Sequence, residues 1–295
     1  MKKRNIIITI AVVLILIAVI VIGNLNRRDE IESDSLKIVT SFYPIYIMTL
    51  NITNGVENIE VSNMAENYVG CIHDYTLTTT DLKKFENADI FVQNGYDMEQ
   101  FSQKIIDSYP NVKMVDSSTK ITDFVQDGEE VNPHFWTSID NYMLQVEAIT
   151  DGLKKLDSSN SELYEQNKNT YIQKLQELKS NYEGFNFEGN SVVSLNESFS
   201  YLFKFIGVDE TLIETDHEQS ALSAETVRDV IEEVKNSGIK AIVIGQNDDD
   251  QNANLIASET GATVYRLNDA MSGDGSLDSY INTMKENLEI LKTMF

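Results

Sequence analysis

Two runs of short branched-aliphatic stretches, each interleaved with helical patterns, set the strongest limit on how this chain folds. In the first run Leu36–Thr40 reads Leu-Lys-Ile-Val-Thr, and Ile59–Ser62, Ala88–Val92 and Val112–Val115 follow it. Each is rich in branched residues and bounded by polar or turn residues, which is the pattern of a strand. Helical periodicity fills the intervals at Ile45–Thr53, Thr80–Asn87 and Met98–Ser108. The second run places strands at Ser191–Leu195, Thr211–Ile213, Lys240–Ile244 and Thr263–Leu267. Its helices are Thr226–Ser237, Ala253–Thr260 and Ser279–Met294. Such alternation predicts an α/β fold, a parallel sheet flanked by helices, and here it occurs twice.

A helical tract separates the two runs. Asp140–Leu156 and Ser161–Tyr182 carry Leu144, Val146, Ile149, Leu153, then Leu163, Tyr164, Tyr171, Leu175, Leu178 and Tyr182, an apolar stripe at helical period. Ser161 ahead of Glu162 reads as the N-cap of the second helix. The expected architecture is two lobes, each with a parallel sheet flanked by helices, joined by a long rigid helix. The lobes are expected at 36–139 and 186–295, with linking helices at 140–185. Ligands of such folds bind beyond the carboxyl ends of the strands, here in the cleft between the lobes.

The first 35 residues differ from the rest. Lys2, Lys3 and Arg4 precede an apolar run from Ile6 to Ile22, and Arg27 and Arg28 follow it. The run is at the short end for a membrane helix but longer than an ordinary signal core, and no small-x-small cleavage site follows it. It reads as an uncleaved N-terminal membrane anchor over 1–28, with a cleaved signal as the alternative, and 29–35 as a polar spacer. The basic residues ahead of the run orient the body to the outside. The net charge of −24 lies essentially all in the body and excludes nucleic acid as a partner, since nothing offsets phosphate repulsion. A single cysteine excludes an intrachain disulfide or a cysteine-cluster metal site.

Histidine occurs three times, and each position falls in a predicted loop. His73 sits in Gly70-Cys71-Ile72-His73-Asp74-Tyr75, His134 in Asn132-Pro133-His134-Phe135-Trp136, and His217 in Glu214-Thr215-Asp216-His217-Glu218. Taken singly, each is an ordinary surface or hydrogen-bonded residue; His73 and His134 gain meaning only if the fold joins them. Cys71 reads as buried packing rather than a zinc thiolate. Asp248, Asp250, Asn252 and Glu259 match four positions of a calcium loop, but Ala253 replaces its glycine. That acidic run reads better as a helix N-terminus. There is no phosphate-cradling glycine loop and no serine nucleophile elbow.

The order of several motifs resembles the metal-binding solute-binding proteins of zinc and manganese ABC importers, of the cluster A-I type. The first lobe carries His73-Asp74-Tyr75, Thr78-Thr79-Thr80-Asp81-Leu82, Ala88-Asp89, Asn94-Gly95 and Met98-Glu99. Asn132-Pro133-His134-Phe135-Trp136 resembles the family's second ligand motif. Glu197-Ser198-Phe199-Ser200-Tyr201-Leu202 and Lys240-Ala241-Ile242-Val243 match later landmarks. The resemblance implies two α/β lobes bridged by a helix and one divalent ion in the cleft, Zn2+ or Mn2+, delivered to an ABC permease by a monomeric receptor. It implies ligands at His73 and His134, a third opening the Asn196-Glu197-Ser198-Phe199 motif, and an acidic fourth at Asp269, or at Asn268 if the match slips by one.

The chain departs from that pattern at the third ligand. Counting back from Phe199 places Asn196 where the family has His or Glu, and a neutral amide oxygen is a weak ligand for Zn2+. Asn196 itself, Glu197 beside it, His217 on a later loop, or loss of tight binding all remain open. Two other functions also remain: a metal-dependent hydrolase with Glu197 as general base, and an adhesion or interaction protein that kept the fold and lost the metal.

Overall fold

The computed structural model describes residues 35–66, 68, 70, 72–127, 130–213 and 223–295. The expected N-terminal anchor lies outside the described residues. Among them, no helix is long and apolar enough to cross a membrane.

Strands β1 (Leu36–Thr40), β2 (Ile59–Asn63), β3 (Ile90–Gln93) and β4 (Lys113–Asp116) form a parallel sheet in the order β2-β1-β3-β4. Between them run α1 (Tyr43–Thr53), α2 (Thr79–Phe85) and α3 (Ser102–Ser108). A two-residue antiparallel pair, β5 (Gln126–Asp127) with β6 (Glu130–Val131), closes this lobe. The second sheet holds β7 (Ser191–Ser194), β8 (Asp209–Leu212), β9 (Ala241–Gly245) and β10 (Thr263–Leu267) in the order β10-β9-β7-β8, again all parallel. Its helices are α6 (Ser200–Ile206), α7 (Ala224–Ser237), α8 (Gln251–Thr260) and α9 (Ser279–Met294). Both sheets follow one path: the second strand flanks the first, and the third and fourth build on its other side. The strand order therefore reverses between β1 and β3 in one lobe and between β7 and β9 in the other, which opens a crevice at each point.

Alternation within the strands explains the layering. All of β9, Ala-Ile-Val-Ile-Gly, is buried. Ile242 and Ile244 pack with Val227, Val230 and Val234 of α7 and Ile256 of α8, while Ala241 and Val243 face the opposite cluster. That cluster is shared between the lobes. It runs from Ile38 and Phe91 of the first sheet through the linking helices to Val192, Val243 and Leu288. The linkers are α4 (Ile139–Leu156) and α5 (Ser161–Glu183), the latter about 35 Å long. The stripe Tyr164, Tyr171, Leu175, Leu178 and Tyr182 is buried along α5. Its tyrosines bury their hydroxyls only because each has a partner: Tyr171 shares a hydrogen bond with Tyr142 (3.0 Å) and Tyr182 donates to the Met284 carbonyl (2.6 Å). Tyr142 also stacks on Tyr280 of α9, with ring centroids 3.5 Å apart.

Several elements differ from expectation, most by one or two residues at an end. Helix α3 starts at Ser102 instead of Met98, because Glu99 is drawn back to the amides of Asn94 and Gly95. Strand β8 starts at Asp209, where it begins to pair with Ser191. The seven-residue α6 was not read from the sequence, being too short to show a period. Asn160, not Ser161, occupies the N-cap of α5, without a side-chain capping bond.

Candidate metal centre

His73 lies in a single 3-10 turn, Ile72–Asp74, between β2 and α2. Ile72 is fully buried and pins the turn from below. From above it is held by the start of α2. Thr78 and Asp81 form a reciprocal capping box, and Tyr75 donates its hydroxyl to Asp81 Oδ2 at 2.7 Å. Burial works to raise the Asp81 carboxyl, but the hydrogen bonds from Thr78 and Tyr75 outweigh it and hold the group below its usual range.

His134 is buried in the loop after β6. Asn132 Oδ1 accepts from both its backbone N–H and its ring Nδ1, each at 2.9 Å. A carbonyl oxygen only accepts, so Nδ1 carries a proton and Nε2 is the ring nitrogen turned towards Glu197. The orientation of the amide is set at its other end, where Asn132 Nδ2 donates to the Glu197 carbonyl at 2.9 Å. Nε2 of His134 faces Glu197 Oε1 at 3.9 Å. The His73 and His134 rings stand edge to face with centroids 5.6 Å apart.

Glu197 opens a 3-10 turn, Glu197–Phe199, directly after β7. Candidate donor atoms of His73, His134 and Glu197 all lie within 4.8 Å of one another, the one such grouping of His, Cys, Asp and Glu among the described residues. Donors about 2.0–2.2 Å from a tetrahedral ion sit roughly 3.4 Å apart, so the three would have to draw inwards to share one ion, with a fourth position still to be filled.

The other sequence candidates fall elsewhere. Asn196 caps the Glu197 turn: its Oδ1 accepts from Ser198 N (2.9 Å) and Ser198 Oγ (2.5 Å), and its Nδ2 donates to Asp248 Oδ2 (2.8 Å). Both oxygen lone pairs are thereby engaged. Asp269 is half-buried after β10 and is not part of the three-residue grouping. Burial, with the Asp248 charge adding to it, pushes its carboxyl up to about 6. Its backbone carbonyl accepts from Trp136 Nε1 at 2.7 Å, which holds the Asp269 loop against the residue two places after His134. Asn268 turns its amide oxygen onto Ala270 N. His217 and Cys71 lie outside the described residues. The calcium-loop pattern does not converge, because Asp248 binds Asn196 and Gly245 while Asp250 pairs with Arg266.

Residues 38–294 match the family described as zinc-uptake complex component A, periplasmic (ZnuA). The chain belongs to the ZnuA family. Among its relatives, the high-affinity zinc uptake system protein ZnuA of Bacillus subtilis is 28% identical over 99% of this chain and 97% of its own length. The manganese-binding lipoprotein MntA of Halalkalibacterium halodurans is 26% identical over 88% of each. The crystal structure of the Zn(II)-bound ZnuA-like domain of Streptococcus pneumoniae AdcA matches with a TM-score of 0.74 at 28% identity, covering 88% of this chain and 98% of that one.

Two residues that matter to this ZnuA-family site were not singled out from the sequence for the roles they play. Asn132 fixes the His134 tautomer, and its position two residues before the histidine was the available signal. Asp248 was weighed only as part of a calcium loop, and nothing local marks it as the partner of Asn196.

Proposed function

We propose that this protein is an extracytoplasmic receptor that captures a divalent transition metal, Zn2+ or Mn2+, and passes it to an ABC permease. The observation that carries the reading is the convergence of His73 and His134 from one lobe with Glu197 from the other. Two imidazoles and a carboxylate form a borderline donor set that suits both ions, with Zn2+ the tighter of the two by the general order of divalent affinities. Asp269, across from Trp136, is the acidic residue that completes the set as the cleft tightens. ZnuA-family membership and receptor relatives of both metal types support this over a hydrolase, and Glu197, the general base that a hydrolase would need, stands in the donor group itself. In this reading the run Ile6–Ile22 holds the monomeric body at the outer face of the membrane.

Metal titration against a competing chelator tests the reading. Wild type is expected to bind one equivalent of Zn2+ and, more weakly, of Mn2+. His134→Ala is expected to lose at least about a hundredfold in Zn2+ affinity, because a ligand and its fixed tautomer go together. Equal titration of wild type and variant would remove His134 from the site.

A further inference from the structure

We propose that Asp248 is a positioning residue that determines which member of the Asn196–Glu197 pair faces the two imidazoles. The inference rests on the metal-site reading above and names the device behind its departure from the expected ligand position.

Asn196 has extended backbone, φ −146° and ψ 114°, so its side chain and that of Glu197 leave the chain on different sides. Only one of them can turn to the histidines. Asp248 takes the Asn196 side chain. One oxygen, Oδ2, accepts from Asn196 Nδ2 at 2.8 Å and from Gly245 N at 2.6 Å. Asp248 is itself a fixed post. Its N–H donates to the Gly245 carbonyl at 3.2 Å, and its carbonyl accepts from Arg266 Nη1 at 3.0 Å. Arg266 reaches the carbonyls of Gly245 and Gln246 with the same nitrogen and Asp250 Oδ2 with the other, which clamps the whole β9–α8 turn. Gly245 leaves room for the contact, since a Cβ there would meet Asp248 Oδ2 at 2.8 Å and Asn196 Nδ2 at 2.9 Å. With position 196 drawn back towards β9, the Glu197 carboxylate is the group presented to His134 Nε2. The bond from Asn196 to Asp248 crosses the point between β7 and β9 where the strand order reverses, so topology itself brings the two residues together.

The test is a Zn2+ titration of the full chain in detergent, with a competing chelator, on wild type, Asp248→Ala, Asp248→Asn, Asn196→Ala, Glu197→Gln and the double variant Asp248→Ala/Glu197→Gln. Asp248→Ala is expected to lose about tenfold in affinity, the usual scale for a residue that orients a ligand. Asn196→Ala, which cuts the same bond from the other end, is expected to lose as much. Asp248→Asn is expected to stay within about threefold, since its amide oxygen still accepts from Gly245 and Asn196. In the Glu197→Gln background Asp248→Ala is expected to cost nothing further, because the effect travels through the carboxylate already removed. A purely structural role would give the same loss in both backgrounds, and that result overturns the proposal, as does wild-type affinity in Asp248→Ala or Asn196→Ala. Weakened binding by Glu197→Gln together with unchanged Asp248→Ala overturns the positioning role alone. Wild-type binding by Glu197→Gln overturns the metal-site reading with it.

Discussion

The two lobes share one strand order, yet they use the crevice at their reversal point in opposite ways. In the first lobe, Glu99 fills the region between β1 and β3. It is 4% exposed and accepts from Asn94 N at 2.7 Å and Gly95 N at 3.1 Å. Asn94 is buried in turn, donating to the Pro133 carbonyl and accepting from Gln145 Nε2. The crevice is closed by this network, and the lobe's histidines arrive from elsewhere, His73 after β2 and His134 beyond β4. In the second lobe the carboxylate is half-buried Asp248, and the loop it holds delivers Glu197 straight into the cleft. A topological crevice is thus only an opportunity. Whether it becomes architecture or a site depends on whether its anchoring carboxylate is sealed in or left beside the opening.

The comparison breaks most sharply at its two glycines. Gly95 has φ +92°, and a Cβ there would collide with Asp116 Oδ1 and lie 2.6 Å from Ser118 Oγ. Gly95→Ala is expected to destabilise the fold by roughly 3 kcal/mol or more, combining left-handed backbone strain with loss of the Asp116 cap. Urea unfolding measures it, and a change below about 1 kcal/mol would mean that the first crevice tolerates rearrangement after all.

Protonation offers a second, smaller separation. Burial pushes the Glu99 carboxyl up to about 7, against the hydrogen bonds from the Asn94 and Gly95 amides that pull it down. The folded protein therefore holds this proton more tightly than the unfolded chain. The resulting stabilisation is complete below pH about 4.5 and fades as pH rises through about 7. Glu99→Gln is expected to abolish that part of the slope, whatever its effect on absolute stability. Unfolding free energies at pH 4.5, 6 and 7.5 decide the matter, and parallel slopes in variant and wild type would take Glu99 out of it.

The smallest effect is expected in the other lobe. Gly245 lacks a positive φ, so Gly245→Ala strains no backbone and presses only on Asp248 and Asn196. Its melting temperature is expected to move little while Zn2+ affinity falls by about tenfold, or ~1.4 kcal/mol. A large loss of stability at unchanged affinity would reverse the contrast drawn between the lobes.

Much of this architecture was legible in the residue pattern. Leu36–Thr40 and Thr263–Leu267 are strands with the expected bounds, and Ser279–Met294 is a helix with the expected bounds, because branched alternation and helical period are local properties. The convergence of His73 and His134 was suggested by motif order alone. The choice between Asn196 and Glu197 was not readable. It turns on a hydrogen bond to Asp248, 52 positions away in the chain, and no local pattern reports so distant a partner. The late start of α3 failed for the same reason, since Glu99 leaves the helical pattern to satisfy two buried amides.

Asn132 carries a mechanical consequence. Its oxygen sets the ring of His134 while its nitrogen grips the Glu197 backbone across the cleft. Gap width and imidazole orientation are therefore linked through one amide. Parting the lobes would break the bond from the Asn132 amide nitrogen to Glu197 and leave its oxygen held only by the His134 N–H and ring.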